Sequence, residues 1–356
     1  MSQFYEINDL REQPEFKGIS FSKYKKSEVK KQLIFNLINS KVENANYWSA
    51  ELICAGHYGE LWDIIIFFIS KHIHIANPKI FLYISNRIET FKNLISNKEF
   101  INELQARNDP NLRKLFGEII TILSISNKKH GIEPIKIHKT EEFDIGNIPE
   151  KLKADNMDYI KDIFLKKDPK EIFIALNEFY YSIHNKDYLS LCYWYEWIIE
   201  FEALCKKKKR PCISEPRNYA ILSKFRTNLV WIIWDIIFDF TENHHKNNSI
   251  SNLIKASNDI FTINYSTASC KKRRFIMYFV FSLCVDNIDM SIQVINNKQT
   301  VSNVIDNIEM IYKQIKKNEV SPNTDYLFNN LEKQNSIKKS IQQFQIVNSI
   351  SKDSNT

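Results

Sequence analysis

Six glycines in 356 residues are the tightest constraint this chain places on its own fold. A chain of this length carries about 25 on average. Tight βα loops, phosphate-cradling loops and two-residue hairpins all draw on glycine, because a residue without a Cβ enters the left-handed region at no steric cost. So few glycines point to helices joined by short polar turns. An apolar content of 44%, with 13% aromatics, can fill a sizeable core, and the length suits two ordinary domains. The expected fold class is therefore all-α, in two helical subdomains.

The periodicity agrees. "SEVKKQLIFNLINSK", "ANYWSAELICAG", "GELWDIIIFFISKHI" and "PKIFLYISNRIETFKNLI" repeat apolar residues at three- and four-residue spacing between polar or glycine-bearing turns. "NDPNLRKLFGEIITILSISNKK" follows, with Asp109 and Pro110 placed as helix cap and first-turn residue. The stretch 129–153, with two prolines, two glycines and no sustained period, reads as a linker. The expected organisation is an N-terminal arm over 1–25, a helical subdomain over 26–128, this linker, a second helical subdomain over 154–334, and a polar, disordered tail over 335–356. The opening residues lack a basic region followed by an apolar run, so no secretory signal is expected. "LWDIIIFFISKHIHI" and "LVWIIWDIIFDF" are interrupted by charge before reaching the roughly 20 apolar residues of a membrane span, so no membrane partner is expected. Six cysteines without a secreted-domain framework read as free thiols.

The halves echo one another. "NYWSAEL" and "LWDIIIFF" precede the linker; "CYWYEWI" and "IWDIIFDF" follow it. Because tryptophan occurs only six times, Trp48 and Trp62 matched by Trp194 and Trp234 read as an internal duplication of helix–turn–helix hairpins. Trp62 and Trp234 are both expected in the core. The copies differ between these landmarks: the second carries 26 additional residues, among them a basic insertion at about 202–227. Insertions in repeat proteins map to a loop on one face, often the working face.

Residues 201–230 hold eight basic and two acidic residues, a net +6 against +7 for the whole chain. The basic ones are Lys206, Lys207, Lys208, Lys209, Arg210, Arg217, Lys224 and Arg226. An excess of this size can bind phosphate and steer a polyanion. A nuclear-import signal and a solvated helix end are the other readings; one or two cations would suffice to complement a helix C-terminus. A second cluster, Lys271, Lys272, Arg273 and Arg274, reads as the opening of the helix "RRFIMYFVFSLC", where cations oppose the macrodipole unless an anion offsets them.

Other chemistry is thinly represented. Cys205 and Cys212 are separated by six residues, outside zinc-knuckle spacing, and no metal or cofactor is expected. "CAGHYGE" places Cys54, His57 and Glu60 together, but a turn joining two helices accounts for the same residues. Phosphate-loop, dinucleotide, zinc-protease and serine-hydrolase signatures are missing from the sequence. Trp194, Trp197, Ile198 and Phe201 have helical spacing and are expected in the core, not as a base-stacking platform.

Over residues 16–240, the run from "FKGISFSKYKKSEVKK" to "LWDIIIFF", with "CYWYEWIIEFEALCKKKKRPC" and "IWDII", resembles a family of helical proteins encoded by large nucleocytoplasmic DNA viruses of the mimivirus and phycodnavirus kind. That resemblance implies a protein of the viral infection cycle and names no activity. The stretch from "KKSEVKKQ" to "IANPKIF" is also similar to the helical collar that follows the ATPase in clamp-loader-like AAA proteins, without the ATPase motifs. The expected function is that of a non-enzymatic, nucleic-acid-associated accessory or assembly factor of viral replication or transcription. A virion structural or scaffold protein is the alternative. Its partners would be nucleic acid and viral replication, transcription or virion proteins, in a viral factory of the host cytoplasm, in the host nucleus, or in the particle.

Overall fold

The computed structural model describes residues 5–97, 100, 102–138, 143, 151–210, 212–244 and 248–320. These form thirteen α-helices; among them there is no strand, only an isolated antiparallel bridge between Ile19 and Lys25. The chain divides into two compact units, Met1–Lys129 with Ser291–Thr356, and His130–Met290. The expected tail, 335–356, lies outside the described residues, as does most of the later part of the expected linker.

The first unit holds α1 (Lys26–Ile38), α2 (Val42–Cys54), α3 (Tyr58–Phe68), α4 (Ile80–Asn97), α5 (Glu103–Asn108), α6 (Pro110–Ile125) and α13 (Lys298–Lys316). The second holds α7 (Phe173–His184), α8 (Tyr188–Lys207), α9 (Val230–His244), α10 (Asn248–Thr262), α11 (Thr267–Lys272) and α12 (Arg274–Val285). Asp109 caps α6 by accepting from the Leu112 N–H at 2.9 Å, with Pro110 at the first helical position.

With so few glycines, the chain stops several of its helices in left-handed conformations carried mostly by other residues. After α1, α7 and α8 the residue past the cap is Ser40, Lys186 and Lys209, at φ 56°, 55° and 55°. After α2 it is Gly56, at φ 72°. At all four the next amide reaches back across the turn: Lys41 to Asn36 O, Asp187 to Ser182 O, Arg210 to Cys205 O and His57 to Leu52 O, at 2.8–3.0 Å. This is the Schellman arrangement. An L-residue held left-handed costs roughly 1–2 kcal/mol. Lys186 is exposed, so Lys186→Gly is expected to stabilise the protein by about 0.5–1 kcal/mol net of the entropy glycine adds to the unfolded chain. Urea midpoints at constant slope would show it.

The connections α1–α2 and α7–α8 are alike in detail, since Asn39 and Asn185 each donate their side-chain amide to the carbonyl four residues back. Beyond this turn the surroundings diverge. Trp48 is half-buried, edge-on to Tyr24, whereas Trp194 is 3% exposed and packs on Trp197. Trp234 is fully buried, as expected. Trp62 is only half-buried against Phe91 and Phe116, because it sits beside exposed Asp63 at the margin of the apolar face of α3.

The expected second subdomain ran to 334, yet α13 belongs to the first unit, packing on α2 and α6. Gly117 of α6 faces Ile308 of α13, whose Cδ1 occupies the space a Cβ there would meet at 2.9 Å. Buried Arg113 pairs with Glu309 at 2.5 Å and lies 4.0 Å over the Tyr312 ring. The N-terminal segment closes the same unit. Ile7 exchanges two 2.8 Å hydrogen bonds with the Asn108 amide, the Asn8 N–H reaches Glu319, and Phe16 and Phe21 are fully buried.

The second unit is built around α12, every residue of which from Phe275 to Val285 is buried. It packs on α7, α8 and α10, with Phe281 meeting Phe179 at 5.4 Å and Tyr195 at 5.5 Å.

Candidate nucleic-acid interface

Helix α8 runs further than its aromatic pattern alone implied, and takes the basic run with it. Lys206 and Lys207 form its last turn, Lys208 its C-cap, and Lys209 the left-handed residue that ends it. Cations belong there, since the C-terminal carbonyls carry partial negative charge. All five residues from Lys206 to Arg210 are exposed. Lys206 pairs with Glu202, one turn back, at 3.1 Å. Lys207, Lys208, Lys209 and Arg210 have no ion-pair partner among the described residues, and neither has exposed Lys224, whose ammonium lies 5.0 Å over the Phe225 ring.

Arg217 corrects its sequence assignment. It is 5% exposed, its Nη2 is 2.6 Å and its Nη1 2.8 Å from the two carboxylate oxygens of Asp168, and its Nε is 2.7 Å from Asp235. Tyr219 donates to the other Asp235 oxygen at 2.8 Å, while the Leu165 and Glu215 amides complete the shell of Asp168. Burial pushes the Asp235 carboxyl above its usual range, opposed by its bonds from Tyr219 and Arg217. Such a residue has no free donor face for a phosphate. Arg217 instead fastens the inserted segment to α9 and to the stretch before α7. Two backbone bonds help, from Ser214 N–H to Thr227 O and from Arg217 N–H to Arg226 O, and they leave Arg226 half-buried.

The second cluster is also arranged differently from its sequence reading. Lys271 and Lys272 close α11, where cations are favourable, and only Arg274 opens α12. Arg273, 8% exposed, turns inward and donates to the carbonyls of Phe261 and Ile263 at the end of α10. It is a helix cap, not a phosphate ligand. The supposed electrostatic cost at a helix start is therefore largely absent. Lys271 pairs with Glu200, and Arg274 lies 3.3 Å from Glu196, a buried carboxylate that also accepts from Tyr278 at 2.9 Å. Lys272 is exposed and without an ion-pair partner among the described residues.

Tertiary structure thus brings the second cluster against the helix that carries the first. Glu196, Glu200 and Glu202, all on α8, hold Arg274, Lys271 and Lys206, and a cavity of about 200 Å³ between α8 and α11 is lined by both Lys206 and Lys271. Counting charges over 201–230 includes Glu202, which stands at the i,i+4 spacing that signals a pair with Lys206, but leaves out Glu196 and Glu200 just before that window. Trp194 and Trp197 of α8 face inward, 3% and 4% exposed, as does Ile198, whereas Phe201, also expected in the core, is only half-buried and stacks on Trp197 at 5.1 Å.

Cys205 and Cys212 are free thiols in hydrogen-bonding contact, and burial pushes Cys212 up to about 12. No group of three or more histidine, cysteine or acidic side chains able to hold a metal occurs among the described residues. Cys54 is fully buried, its thiol pushed up to about 12 by desolvation. His57 donates from Nε2 to the carbonyls of Ile19 and Phe16, at 2.8 and 3.1 Å, with the Glu60 carboxylate 3.9 Å from Nδ1. Burial holds His57 below its ordinary value of about 6.5. The unfolded chain therefore takes up this proton first, so stability fully present above about pH 6.5 is lost as pH falls from there through the lower value of the folded protein. His57→Gln, which keeps a donor for the carbonyls, is expected to flatten the decline in urea midpoint below pH 6.5.

No described helix is long and apolar enough to cross a membrane. Comparison with family models, with curated proteins and with solved structures returns no match.

Proposed function

We propose that this protein is a non-enzymatic accessory or assembly factor that binds nucleic acid through the end of α8 and the neighbouring end of α11. The observation carrying this reading is the set of exposed cations without ion-pair partners among the described residues, Lys207, Lys208, Lys209, Arg210 and Lys272, gathered from two distant stretches of sequence. Helix capping needs far fewer. Such a surface meets phosphates without reading bases, so affinity is expected to be similar for unrelated sequences and steeply dependent on salt. Lys224 extends the same inserted segment. Arg217 and Arg273, whose guanidiniums are spent on internal acceptors, position the surface and do not contact the ligand, while half-buried Arg226 stays in the binding set.

The resemblance to helical proteins of large DNA viruses supports placing this binding in viral replication or transcription, within a cytoplasmic viral factory or the host nucleus. The matched turns after α1 and α7 support descent of the two hairpins from one duplicated unit. Fluorescence anisotropy of a labelled oligonucleotide, titrated from low to moderate salt, tests the function. Affinity that ignores salt, or no binding at all, removes it. One observation favours a scaffold role in the virion instead: the inserted segment exposes two large apolar side chains, Ile213 at 51% and Leu222 at 59%, which a protein partner would cover. Salt-insensitive retention in particles would support that role.

A further inference from the structure

The cavity between α8 and α11 differs in character from the lysine run beside it. Its inner wall is Ile199 and Cys270, 4% and 3% exposed, with Ala203 alongside. Lys206 and Lys271 stand exposed at its mouth. At about 200 Å³ it exceeds the roughly 150 Å³ that accommodates a benzene ring in an engineered cavity. Two more polar side chains line it: Thr267, whose hydroxyl accepts from Asn228 at 3.3 Å, and Glu202, 5% exposed, its carboxylate held by Lys206 at 3.1 Å. A slot of one-ring size, apolar at Ile199, Ala203 and Cys270, with an acceptor in its wall and cations from two helices at its mouth, matches one nucleotide unit: a flat base, its exocyclic amine, and the phosphates flanking it.

We propose that this cavity receives a single unstacked base from a nucleic-acid strand, with Lys206 and Lys271 on the adjacent phosphates and Glu202 accepting from the base amine. The inference rests on the nucleic-acid reading of the same surface. It adds that single strands are preferred over duplex, because a paired and stacked base cannot enter without the cost of flipping it out. It also ranks bases. Cytosine and adenine offer an exocyclic amine to a carboxylate, and thymine does not. The lysine run, reading only phosphates, supplies neither preference.

Anisotropy with four labelled probes separates the two ideas: oligodeoxycytidylate, oligothymidylate, an abasic strand of equal length, and a duplex. Wild-type protein is expected to bind the cytidine strand about tenfold more tightly than the abasic strand, with thymidine between them. Ala203→Phe, which fills the slot from the side of α8, is expected to erase that advantage while leaving duplex affinity and salt dependence unchanged. Equal wild-type affinity for cytidine and abasic strands overturns the inference whatever the variant does. So does equal loss on single strand and duplex in Ala203→Phe. Those results leave the phosphate-binding function standing, whereas absence of binding to every probe removes both.

Discussion

Replacing Lys207, Lys208, Lys209 and Arg210 with alanine is expected to reduce affinity for duplex DNA by several orders of magnitude at low salt and to flatten its salt dependence. Each cation that neutralises a phosphate releases condensed counterion, so log K falls with log[salt] by about 0.9 per contact on duplex and about 0.7 on single strands. With two to four of the four engaged, the slope shrinks by about 2 to 3.6 units on duplex. Near 0.1 M salt this corresponds to roughly tenfold in affinity for each phosphate left without its cation. Lys206 is left in place deliberately, since its removal would strand buried Glu202 and mix a folding defect into the reading. The loss should be equal for unrelated sequences, because phosphate contacts position a protein without specifying a site. An unchanged slope in the fourfold variant would take the nucleic-acid grip away from α8. Cys205→Ser with Cys212→Ser serves as the control and should leave both quantities unaltered, as no metal is assigned to these thiols.

Arg217→Ala is expected to cost about 3–5 kcal/mol, the characteristic penalty for removing one partner of a buried ion pair. Asp168 has a fully buried side chain, and half of its hydrogen-bonding comes from the guanidinium. Deleting that group leaves a carboxylate with only the Leu165 and Glu215 amides, and leaves Asp235 with Tyr219. Total stabilities of domains are about 5–15 kcal/mol, so this is a large share. The second unit carries four of the six tryptophans, and their fluorescence in urea reports on it. Amide exchange should quicken at Ser214 and at the alanine replacing Arg217, the two positions whose N–H groups close the inserted segment. Adding Asp168→Asn and Asp235→Asn to Arg217→Met removes the stranded charges and should recover part of the loss. A midpoint equal to wild type in Arg217→Ala would contradict the structural role and return Arg217 to the phosphate-binding set.

Much of the helical architecture is legible in the residues. The periodicities around Leu33, Ala50, Ile65, Ile84 and Phe116 mark α1, α2, α3, α4 and α6 within a few residues, and Asp109 with Pro110 marks the start of α6. These are local signals: a helix closes its hydrogen bonds within four residues, and its apolar stripe is written at a fixed spacing. The inward orientation of Trp194 and Trp197 is legible for the same reason.

Helix formation, the scarcity of sheet-making turns, the caps and the local concentration of positive charge were determined by the sequence itself, because each depends on neighbours a few positions away. Tertiary structure alone decided which helix meets which. The buried stripe of α13, Val301, Ile308, Tyr312 and Ile315, announces that this helix needs a partner, but not that the partner is α6 through the gap at Gly117, some 190 positions earlier. Tertiary structure also decided which cations are free. Arg217 and Arg273 look no different in sequence from Lys208 and Lys272, yet the former two are spent on Asp168, Asp235 and the carbonyls ending α10. Charge is a property of the residue, whereas its availability is set by the acceptors that folding brings within 3 Å, and those acceptors lie far away along the chain.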